Sequence, residues 1–320
     1  VRAVEVNTGG GLVFTLLPDR GLDIAGCSYK GVNLIYLTPS GIANPAFFEP
    51  QGTGWLRTFF GGLLTTCGLT YFGPPGRDGK AELGLHGRYS SLPAEKVSDL
   101  SRWEGDEYVL EVSGVVEECV LFGDNIRLKR TIFTALGKKA FTLCDSVENF
   151  GFRTSPFTVL YHINTGFPLL DECSELVISS TGAEPYDQES EKGAGEMKRF
   201  SAPLPNFREQ NFLHTMACSR KGYGLAAMIN RTLLGGLGLY IKFKTDTLPF
   251  LSEWKMMGEK DYAAALEPCN TKIENRAALR KHKRLPQLRP GETRETRLEI
   301  GVLEGKEELE EFSTEADKVR

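Results

Sequence analysis

The chain has 320 residues, of which 41% are hydrophobic and 25% are charged, a balance typical of a globular protein with a sizeable core. Its formal charge of −4 gives no general attraction for nucleic acids or anionic membranes, and no apolar run approaches the ~20 residues of a membrane span. Residues Val1–Asn7 lack the basic and apolar regions of a signal peptide, and the seven cysteines form no CxxC pair. We therefore expect reduced thiols and a cytoplasmic protein that has no nucleic-acid or membrane partner.

Short runs rich in β-branched and aromatic residues, separated by Gly, Pro, Asn and Asp, predict antiparallel strands along most of the chain. Two packed antiparallel sheets are the simplest architecture for so many strands, so we predict an all-β fold with few short helices. In chain order, the clearest predicted strands are Tyr108–Val116, Cys119–Phe122, Ile126–Ala135, Ala140–Val147, Phe157–Ile163, Thr215–Ser219, Gly224–Asn230, Leu237–Lys244, Phe250–Lys255 and Tyr262–Glu267.

Helical patterns are sparse and lie near the C-terminus. The composition of Asn270–Lys283 predicts a short helix that is capped by Asn270 or Thr271. Lys306–Lys318 has a helical composition and is acidic in its first half, which is typical of a terminal helix or a solvated tail.

Glycine and proline are scattered along the chain and form no linker, while the polar segment Glu184–Gly195 predicts a loop. We therefore expect a single β-sandwich domain over residues 1–304, followed by an acidic tail or helix over residues 305–320.

The motifs that bind nucleotides and metals are absent from the sequence. The segment GPPGRDGKA at residues 73–81 has the wrong glycine spacing for a phosphate loop and lacks the Ser or Thr that follows its Lys. There is no HxH or HxxxH pair either. We predict that the protein uses neither a metal nor another cofactor.

Two histidines and one glutamate lie in settings unlike an ordinary surface. Alternation in a strand-like run places His162 and Asn164 on one face, which predicts a polar cavity wall. His86 has glycines close by on both sides, which lets a ligand approach the backbone. Glu267 ends an alanine-rich run, at a cavity mouth or beside polar partners. The alternative is that these side chains are only structural.

A carboxylate and an imidazole together suit the opening of a sugar hemiacetal. That reaction needs a base at the anomeric hydroxyl and an acid at the ring oxygen, and both groups can exchange protons near neutral pH. It requires neither a metal nor a nucleotide. We expect His162 and Glu267 to flank the sugar on either side, without touching each other.

On these residues the chain resembles the aldose 1-epimerase (galactose mutarotase-like) superfamily, and within it a divergent bacterial branch of unknown function. The resemblance covers about residues 12–303, although its specific parts are short. The segments that carry it are Asp19–Ile24 (DRGLDI), Gly54–Arg57 (GWLR), Gly61–Leu69 (GGLLTTCGL), Leu85–Arg88 (LHGR), Glu253–Gly258 (EWKMMG) and Leu266–Asn270 (LEPCN).

The resemblance implies a large antiparallel β-supersandwich with a carbohydrate cleft on one sheet. Family mutarotases use a histidine in an N-H-x-x-F-N-like strand as the general acid, and His162 lies in a similar run that is followed by Phe167. Their general base is a Glu in an L-E-P-like segment, which matches Glu267. A further family histidine between Leu and Gly contacts the sugar and matches His86.

The chain also departs from the usual mutarotase pattern. The later Asp–His pair is represented only by Leu213-His214, and the usual arginine block has no clean match, which leaves Arg57 or Arg88 as its replacement. Together with Asn164, Trp254 and Lys255, these arginines complete the predicted substrate-binding set.

Three functions remain open from the sequence. The first is an aldose 1-epimerase-like isomerase acting on a small carbohydrate, and the second is a carbohydrate-binding protein without catalysis on the same fold. The third is an epimerase of a sugar phosphate or uronate, in which Arg57, Arg88 and Lys255 bind the anion. The sequence predicts neither the sugar nor the oligomeric state.

Overall fold

Antiparallel strands make up most of the molecule. The structure, a computed structural model, describes residues 1–319. Strands account for 49% of the chain and helices for 13%, so the predicted all-β class with few helices is confirmed.

Residues 1–319 form 25 strands and three α-helices. The strands are β1 (Val4–Asn7), β2 (Leu12–Leu17), β3 (Asp23–Tyr29), β4 (Val32–Asn33), β5 (Tyr36–Leu37), β6 (Gly61–Gly62), β7 (Leu64–Leu69), β8 (Gly76–Asp78), β9 (Ala81–Leu83), β10 (Glu95–Asp99), β11 (Arg102–Glu104), β12 (Glu107–Cys119), β13 (Asn125–Ala135), β14 (Ala140–Asn149), β15 (Ser155–Pro156), β16 (Thr158–Thr165), β17 (Ser174–Ile178), β18 (Ser180–Pro185), β19 (Gln210–Met216), β20 (Tyr223–Asn230), β21 (Leu237–Lys244), β22 (Phe250–Met257), β23 (Tyr262–Cys269), β24 (Gln287–Leu288) and β25 (Thr293–Glu304). The helices are α1 (Gln188–Gly193), α2 (Arg276–Lys281) and α3 (Gly305–Lys318).

Two large antiparallel sheets dominate this arrangement. Sheet 1 has the spatial order β1-β2-β3-β7-β16-β23-β22-β19-β18, with β4 paired to β3. Sheet 2 has the order β10-β12-β13-β14-β25-β21-β20-β17, with β11 paired to β12. Strands that are distant in sequence, such as β7, β16 and β23, are therefore neighbours at the centre of sheet 1.

The main core lies between the inner faces of the two sheets. Leu251 and Leu266 from sheet 1 and Ile241 and Leu298 from sheet 2 are all fully buried in one cluster. Burial of each such side chain stabilises the fold by about 1.5–3 kcal/mol. The central strand β16 is buried along its whole length, so its outer face is also covered, by loops.

A buried ionic network fixes β16 against sheet 2. Arg130 contacts Asp23 and Asp145, each at 2.7 Å, and Tyr161 donates a hydrogen bond to Asp145 at 2.8 Å. Removing charges from water is costly, and here each buried charge is paired and hydrogen-bonded. Because Tyr161 directly precedes His162 in the chain, this network also holds the backbone of the candidate site.

Several predicted element boundaries were wrong. The predicted strand Cys119–Phe122 is the end of β12 and a hairpin turn, and the strand predicted at Thr215–Ser219 lies earlier, as β19. The predicted loop Glu184–Gly195 contains the end of β18 and helix α1, because the Asp187 side chain accepts a hydrogen bond from the Ser190 N–H and caps that helix.

The helix predicted over Asn270–Lys283 is shorter, and its cap is Asn275. Asn270 does not cap a helix because its amide bonds across to the strand region beside β16, accepting from Val159 N–H and donating to the Phe157 carbonyl.

Helix α3 packs on the outer face of sheet 2. Leu309, Phe312 and Ala316 are buried there in a cluster with Leu225 and Ile229 of β20. The division into one domain and a C-terminal tail or helix stays a prediction. None of the helices within residues 1–319 is long and apolar enough to cross a membrane.

Candidate active site

The centre of the outer face of sheet 1 brings His162 and Glu267 together. In the β16–β23 ladder Ile163 pairs with Leu266, which places His162 beside Glu267 on the same face. His162 Nε2 lies 3.1 Å from Glu267 Oε1, and the side chains are only 7% and 4% exposed. An imidazole and a carboxyl group therefore lie in direct contact.

This contact corrects one expectation from the sequence, that the two groups flank the sugar without touching. Neighbouring strands in a sheet lie only about 4.8 Å apart, so side chains that are adjacent on one face meet each other. The sequence could not reveal that residues 162 and 267 belong to neighbouring strands.

A pocket of about 330 Å³ opens over this pair, within the size range of small-molecule sites. We call it the primary pocket. Its wall is mostly apolar and aromatic, with a few polar groups at the floor and rim. The lining residues are Thr53, Trp55, Leu56, Phe59, Gly73, Pro74, Pro75, Leu85, His86, His162, Tyr186, Glu209, Asn211, Trp254, Glu267 and Ile273.

His86 reaches the same pocket from a loop. Its backbone has the left-handed φ of 56°, an uncommon conformation for a residue with a side chain. Two hydrogen bonds hold it there, from its N–H to the Gly73 carbonyl and from the Gly68 N–H to its carbonyl. Gly87 follows because its Cβ would lie 2.2 Å from the Tyr71 carbonyl oxygen. The His86 and His162 rings are 6.2 Å apart.

Aromatic rings enclose the imidazole of His162. The ring centroid of Phe59 lies 5.1 Å from that of His162, and the Trp254 ring approaches it edge-on at 5.7 Å. Trp55 stacks on Phe59 at 4.3 Å and contacts His86 at 4.8 Å. Such a wall excludes water and suits the apolar face of a ring-shaped ligand.

Burial favours the uncharged form of each titratable group at the floor of the pocket. It raises the pKa of Glu267 from its usual 4.5 to about 8 and lowers the pKa of His162 to about 3. It also lowers the pKa of His86 to about 4. At neutral pH the pair is therefore an uncharged carboxyl group in contact with a neutral imidazole.

Two buried polar atoms of residues that line this pocket have no hydrogen-bond partner within residues 1–319. They are His86 Nδ1 and His162 Nδ1. Buried polar groups in proteins are almost always hydrogen-bonded, so a cluster of unpartnered ones indicates a place where a polar ligand binds.

Asn164 and Trp254 both lie near His162 and Glu267, but only Trp254 lines the pocket. Asn164 is fully buried and donates to the carbonyl groups of His162 and Gly62, so it holds the strand and does not line the pocket. Its predicted role in substrate binding stays a prediction. Trp254 does line the pocket, and its indole N–H donates to Glu209 at 2.8 Å.

The three cationic residues predicted for the substrate lie elsewhere, which is a second correction. Arg57 is 73% exposed and forms an ion pair with Glu49 at 3.2 Å, and Arg88 is exposed outside the pocket. Lys255 alternates with Trp254 along β22 and so points to the opposite face. There its ammonium group donates to the carbonyls of Glu196 and Arg199.

His214, the expected counterpart of a family site residue, also points away from the pocket. It lies on the inner face of sheet 1, opposite Leu251, and its Nε2 is 3.1 Å from Glu253 Oε2. Ser180 Oγ lies 3.2 Å from its other ring nitrogen. We call His214–Glu253 the inner pair and His162–Glu267 the outer pair.

The sequence reasoning missed Tyr186, Glu209 and Asn211. They line the primary pocket from β19 and from the chain next to β18 and β19, at the edge of sheet 1. Tyr186 and Asn211 are tied by a backbone hydrogen bond from the Tyr186 N–H to the Asn211 carbonyl. Nothing local marks these residues, because only the strand order brings them to the pocket.

No group of three His, Cys, Asp or Glu side chains within residues 1–319 is arranged to hold a metal ion. The absence of a metal or another cofactor stays a prediction.

Comparisons with known proteins agree with this fold. Residues 1–302 match the family described as a domain of unknown function, DUF4432, and the chain therefore belongs to that family. No curated protein matches the chain in sequence.

Solved structures with the same fold carry names from sugar chemistry. A candidate aldose 1-epimerase from Klebsiella pneumoniae superposes with a TM-score of 0.94 at 24% identity, covering 99% of this chain and 83% of that one. A galactose mutarotase-like protein from Clostridium acetobutylicum gives 0.66 at 16% identity, covering 94% and 95%. At such identities the likeness establishes the galactose mutarotase-like fold that the sequence predicted, and no activity.

Proposed function

We propose that this member of the DUF4432 family is an isomerase of the aldose 1-epimerase type, which interconverts the two anomers of an uncharged sugar. The observation that carries the proposal is the outer pair, a buried carboxyl and imidazole in contact at the floor of a sugar-sized pocket. The names of the structural neighbours point to the same chemistry.

Two groups in contact can act together on a hemiacetal. The anomeric oxygen and the ring oxygen of a pyranose are bonded to the same carbon, so a base and an acid placed side by side reach both. In the ligand complex each member of the outer pair forms a hydrogen bond to the sugar. No cofactor is needed, because only protons move.

The proton transfers follow from the neutral state of the pair. His162 takes the proton of the anomeric hydroxyl while Glu267 gives its proton to the ring oxygen, and the bond between that oxygen and the anomeric carbon breaks. The aldehyde then turns about its first carbon–carbon bond. Ring closure returns both protons and leaves the other anomer.

The sequence-based assignment started from the charged pair, with Glu267 as the base and His162 as the acid. The two starting states differ only by the transfer of one proton across the 3.1 Å contact. Burial disfavours the charged state, which supports the neutral pair as the resting form.

The polarity of the primary pocket favours an uncharged sugar. Glu209 and Glu267 line it, whereas no lysine or arginine within residues 1–319 does. A phosphate or uronate group would therefore meet carboxyl groups and no cation, which weighs against a charged-sugar epimerase.

Anomer exchange measured by NMR over a panel of free and phosphorylated sugars tests the proposal. Wild type should accelerate exchange of at least one free sugar, and His162→Asn should slow that exchange by roughly 10²–10⁴-fold, the value of one positioned proton transfer. His282→Asn, on the exposed end of α2, is the matched control and should match wild type.

Binding of a sugar without any acceleration would contradict catalysis and favour the carbohydrate-binding alternative. Equal exchange rates for wild type and His162→Asn would show that the outer pair is not the catalyst.

A further inference from the structure

An exposed apolar surface lies at one end of sheet 2. The turn between β12 and β13 carries Val120, Leu121 and Phe122, which are 48%, 82% and 85% exposed. The loop between β14 and β15 carries Phe152, which is 98% exposed. None of these four residues lines the primary pocket. We call the four residues the end patch.

Hydrogen bonds join the two loops that carry the end patch. The Arg153 guanidinium group donates to the Phe122 carbonyl at 3.3 Å, and the Phe150 N–H donates to the Asn125 carbonyl at 3.2 Å. Strands β13 and β14 pair with each other directly up to these loops. The four apolar side chains therefore stand on one joined pair of loops.

Backbone hydrogen bonds fix the turn in this exposed form. The Val120 N–H donates to the Asp124 carbonyl at 3.0 Å, and the Gly123 N–H donates to the Val120 carbonyl at 2.9 Å. Phe122 has a φ of 63°, a left-handed conformation that is unfavourable for a bulky side chain. Backbone strain of this kind persists only where the surrounding structure holds it, and it clusters at functional sites. The turn therefore presents its apolar side chains to solvent in a defined conformation.

The area of the end patch is large for an apolar surface that stays in water. An aromatic side chain can bury roughly 150–250 Å², so the two phenylalanines and their aliphatic neighbours together expose on the order of 600 Å². The largest apolar patch on a typical monomer covers about 300–600 Å², and larger ones mark interaction sites. A stable dimer buries about 800 Å² on each partner. The end patch and a polar rim around it together reach that size.

The charges beside the end patch have opposite signs. Asp124 follows the turn, and the exposed Arg153 follows Phe152 in the other loop. Neither side chain forms a salt bridge within residues 1–319. A two-fold axis brings the same surface of two copies together, which lets Asp124 of one copy approach Arg153 of the other. The end patch is thus complementary in charge to itself, whereas an anionic membrane attracts a cluster of positive charges.

We propose that the end patch is the interface of a two-fold symmetric homodimer of this chain. The four apolar side chains form the centre of the interface, and Asp124 pairs with Arg153 of the second copy at its rim. An apolar centre with a polar rim is the usual composition of a protein interface. The dimer is independent of the proposed function, since it uses no residue of the primary pocket.

Sedimentation velocity of the full chain over about 1–100 μM tests the dimer. Wild type should pass from monomer to dimer within this range. The double variant Leu121→Lys/Phe152→Lys should raise the dimer Kd by about 100-fold or more, because it buries cations in the apolar centre. Both positions are exposed, so the fold should not change. Leu136→Lys is the matched control and should keep the Kd of wild type, since Leu136 is an exposed leucine just beyond the opposite end of β13.

An exchange of charges tests the pairing across the two-fold axis. Asp124→Arg places like charges opposite each other and should raise the dimer Kd about tenfold or more. Addition of Arg153→Asp restores opposite charges and should return the Kd to about that of wild type. If the second substitution weakens the dimer further, the two residues do not face each other and the proposed interface is wrong.

The same measurements can overturn the dimer in other ways. A wild-type monomer at every concentration would refute it, and so would a dimer whose Kd the two lysines leave unchanged. A wild-type monomer that sediments with vesicles of phosphatidylcholine and phosphatidylglycerol, when the double lysine variant does not, would assign the end patch to a membrane surface instead.

Discussion

The two faces of sheet 1 each carry a buried histidine–glutamate pair with the same separation of 3.1 Å. The outer pair lies under a pocket, and the Nδ1 atom of its histidine has no partner. The inner pair lies among core residues, and the second ring nitrogen of its histidine contacts Ser180.

The difference teaches that burial and pairing alone do not identify a catalytic site. Burial raises the pKa of Glu253 in the inner pair, as it does for Glu267 in the outer pair. What separates them is access, because only the outer pair adjoins a cavity and has a histidine ring nitrogen left free for a ligand. We therefore expect the inner pair to stabilise the fold and the outer pair to act on substrate.

Substitution of the two glutamates should separate these roles most clearly. Glu267→Gln removes the transferable proton and should lower the rate of anomer exchange by roughly 10²–10⁴-fold, with little loss of stability. Glu253→Ala leaves His214 without its partner and should lower the free energy of unfolding by about 1–3 kcal/mol. NMR exchange rates and urea denaturation measure the two effects.

Two results would contradict this division of roles between the inner and the outer pair. An exchange rate per folded molecule that drops at least 100-fold in Glu253→Ala would place the inner pair in the mechanism. A loss of more than about 3 kcal/mol in Glu267→Gln would make the outer pair mainly structural.

The titration of the outer pair should also change how the free energy of unfolding depends on pH. The pKa of Glu267 is about 8 in the fold and ordinarily 4.5, so between these values the folded state binds more protons and stability falls as pH rises. The pKa of His162 is about 3 in the fold and ordinarily 6.5, so its contribution rises with pH across that range. The two effects oppose each other up to pH 6.5.

Between pH 6.5 and 8 only the Glu267 effect remains. Wild type should lose up to about 1.4 kcal/mol per pH unit there from this residue, and Glu267→Gln should lose that much less. Unfolding free energies of both proteins at pH 6.5 and 8 give the difference, in which shifts from other groups cancel. If wild type and Glu267→Gln lose the same free energy of unfolding between pH 6.5 and 8, Glu267 is already ionised at pH 6.5.

Much of the fold was predictable from the sequence because its signals are local. Alternation in the strands and turn residues between them gave the all-β class, and the predicted strand Leu237–Lys244 coincides with β21. The helix cap at Asn275 was missed in favour of Asn270, since either Asn is a suitable cap and only the neighbouring strand decides between them.

The candidate site was predictable only in part, because some motif segments line the pocket and others stabilise the fold. His86, His162, Glu267 and Trp254 do line one pocket. In the segment DRGLDI, however, Arg20 donates to three backbone carbonyls and Asp23 binds Arg130, so this motif holds the structure together. The direction of a side chain depends on which strands are paired, and that pairing is non-local.

The aromatic wall gives the smallest predicted effect, and it tests whether a sugar bound over the outer pair packs on Trp254. The Trp254 ring stands 5.7 Å from His162, and its N–H is fixed by Glu209, so the indole is held in place to pack on a sugar ring. Trp254→Phe should weaken sugar binding by about 1 kcal/mol, the scale of one aromatic contact, or roughly fivefold in Kd. Trp103→Phe is the matched control, since Trp103 is 67% exposed on β11, in sheet 2. Calorimetric Kd values for both variants decide the matter: if Trp254→Phe binds sugar as tightly as Trp103→Phe does, the sugar does not lie against this wall.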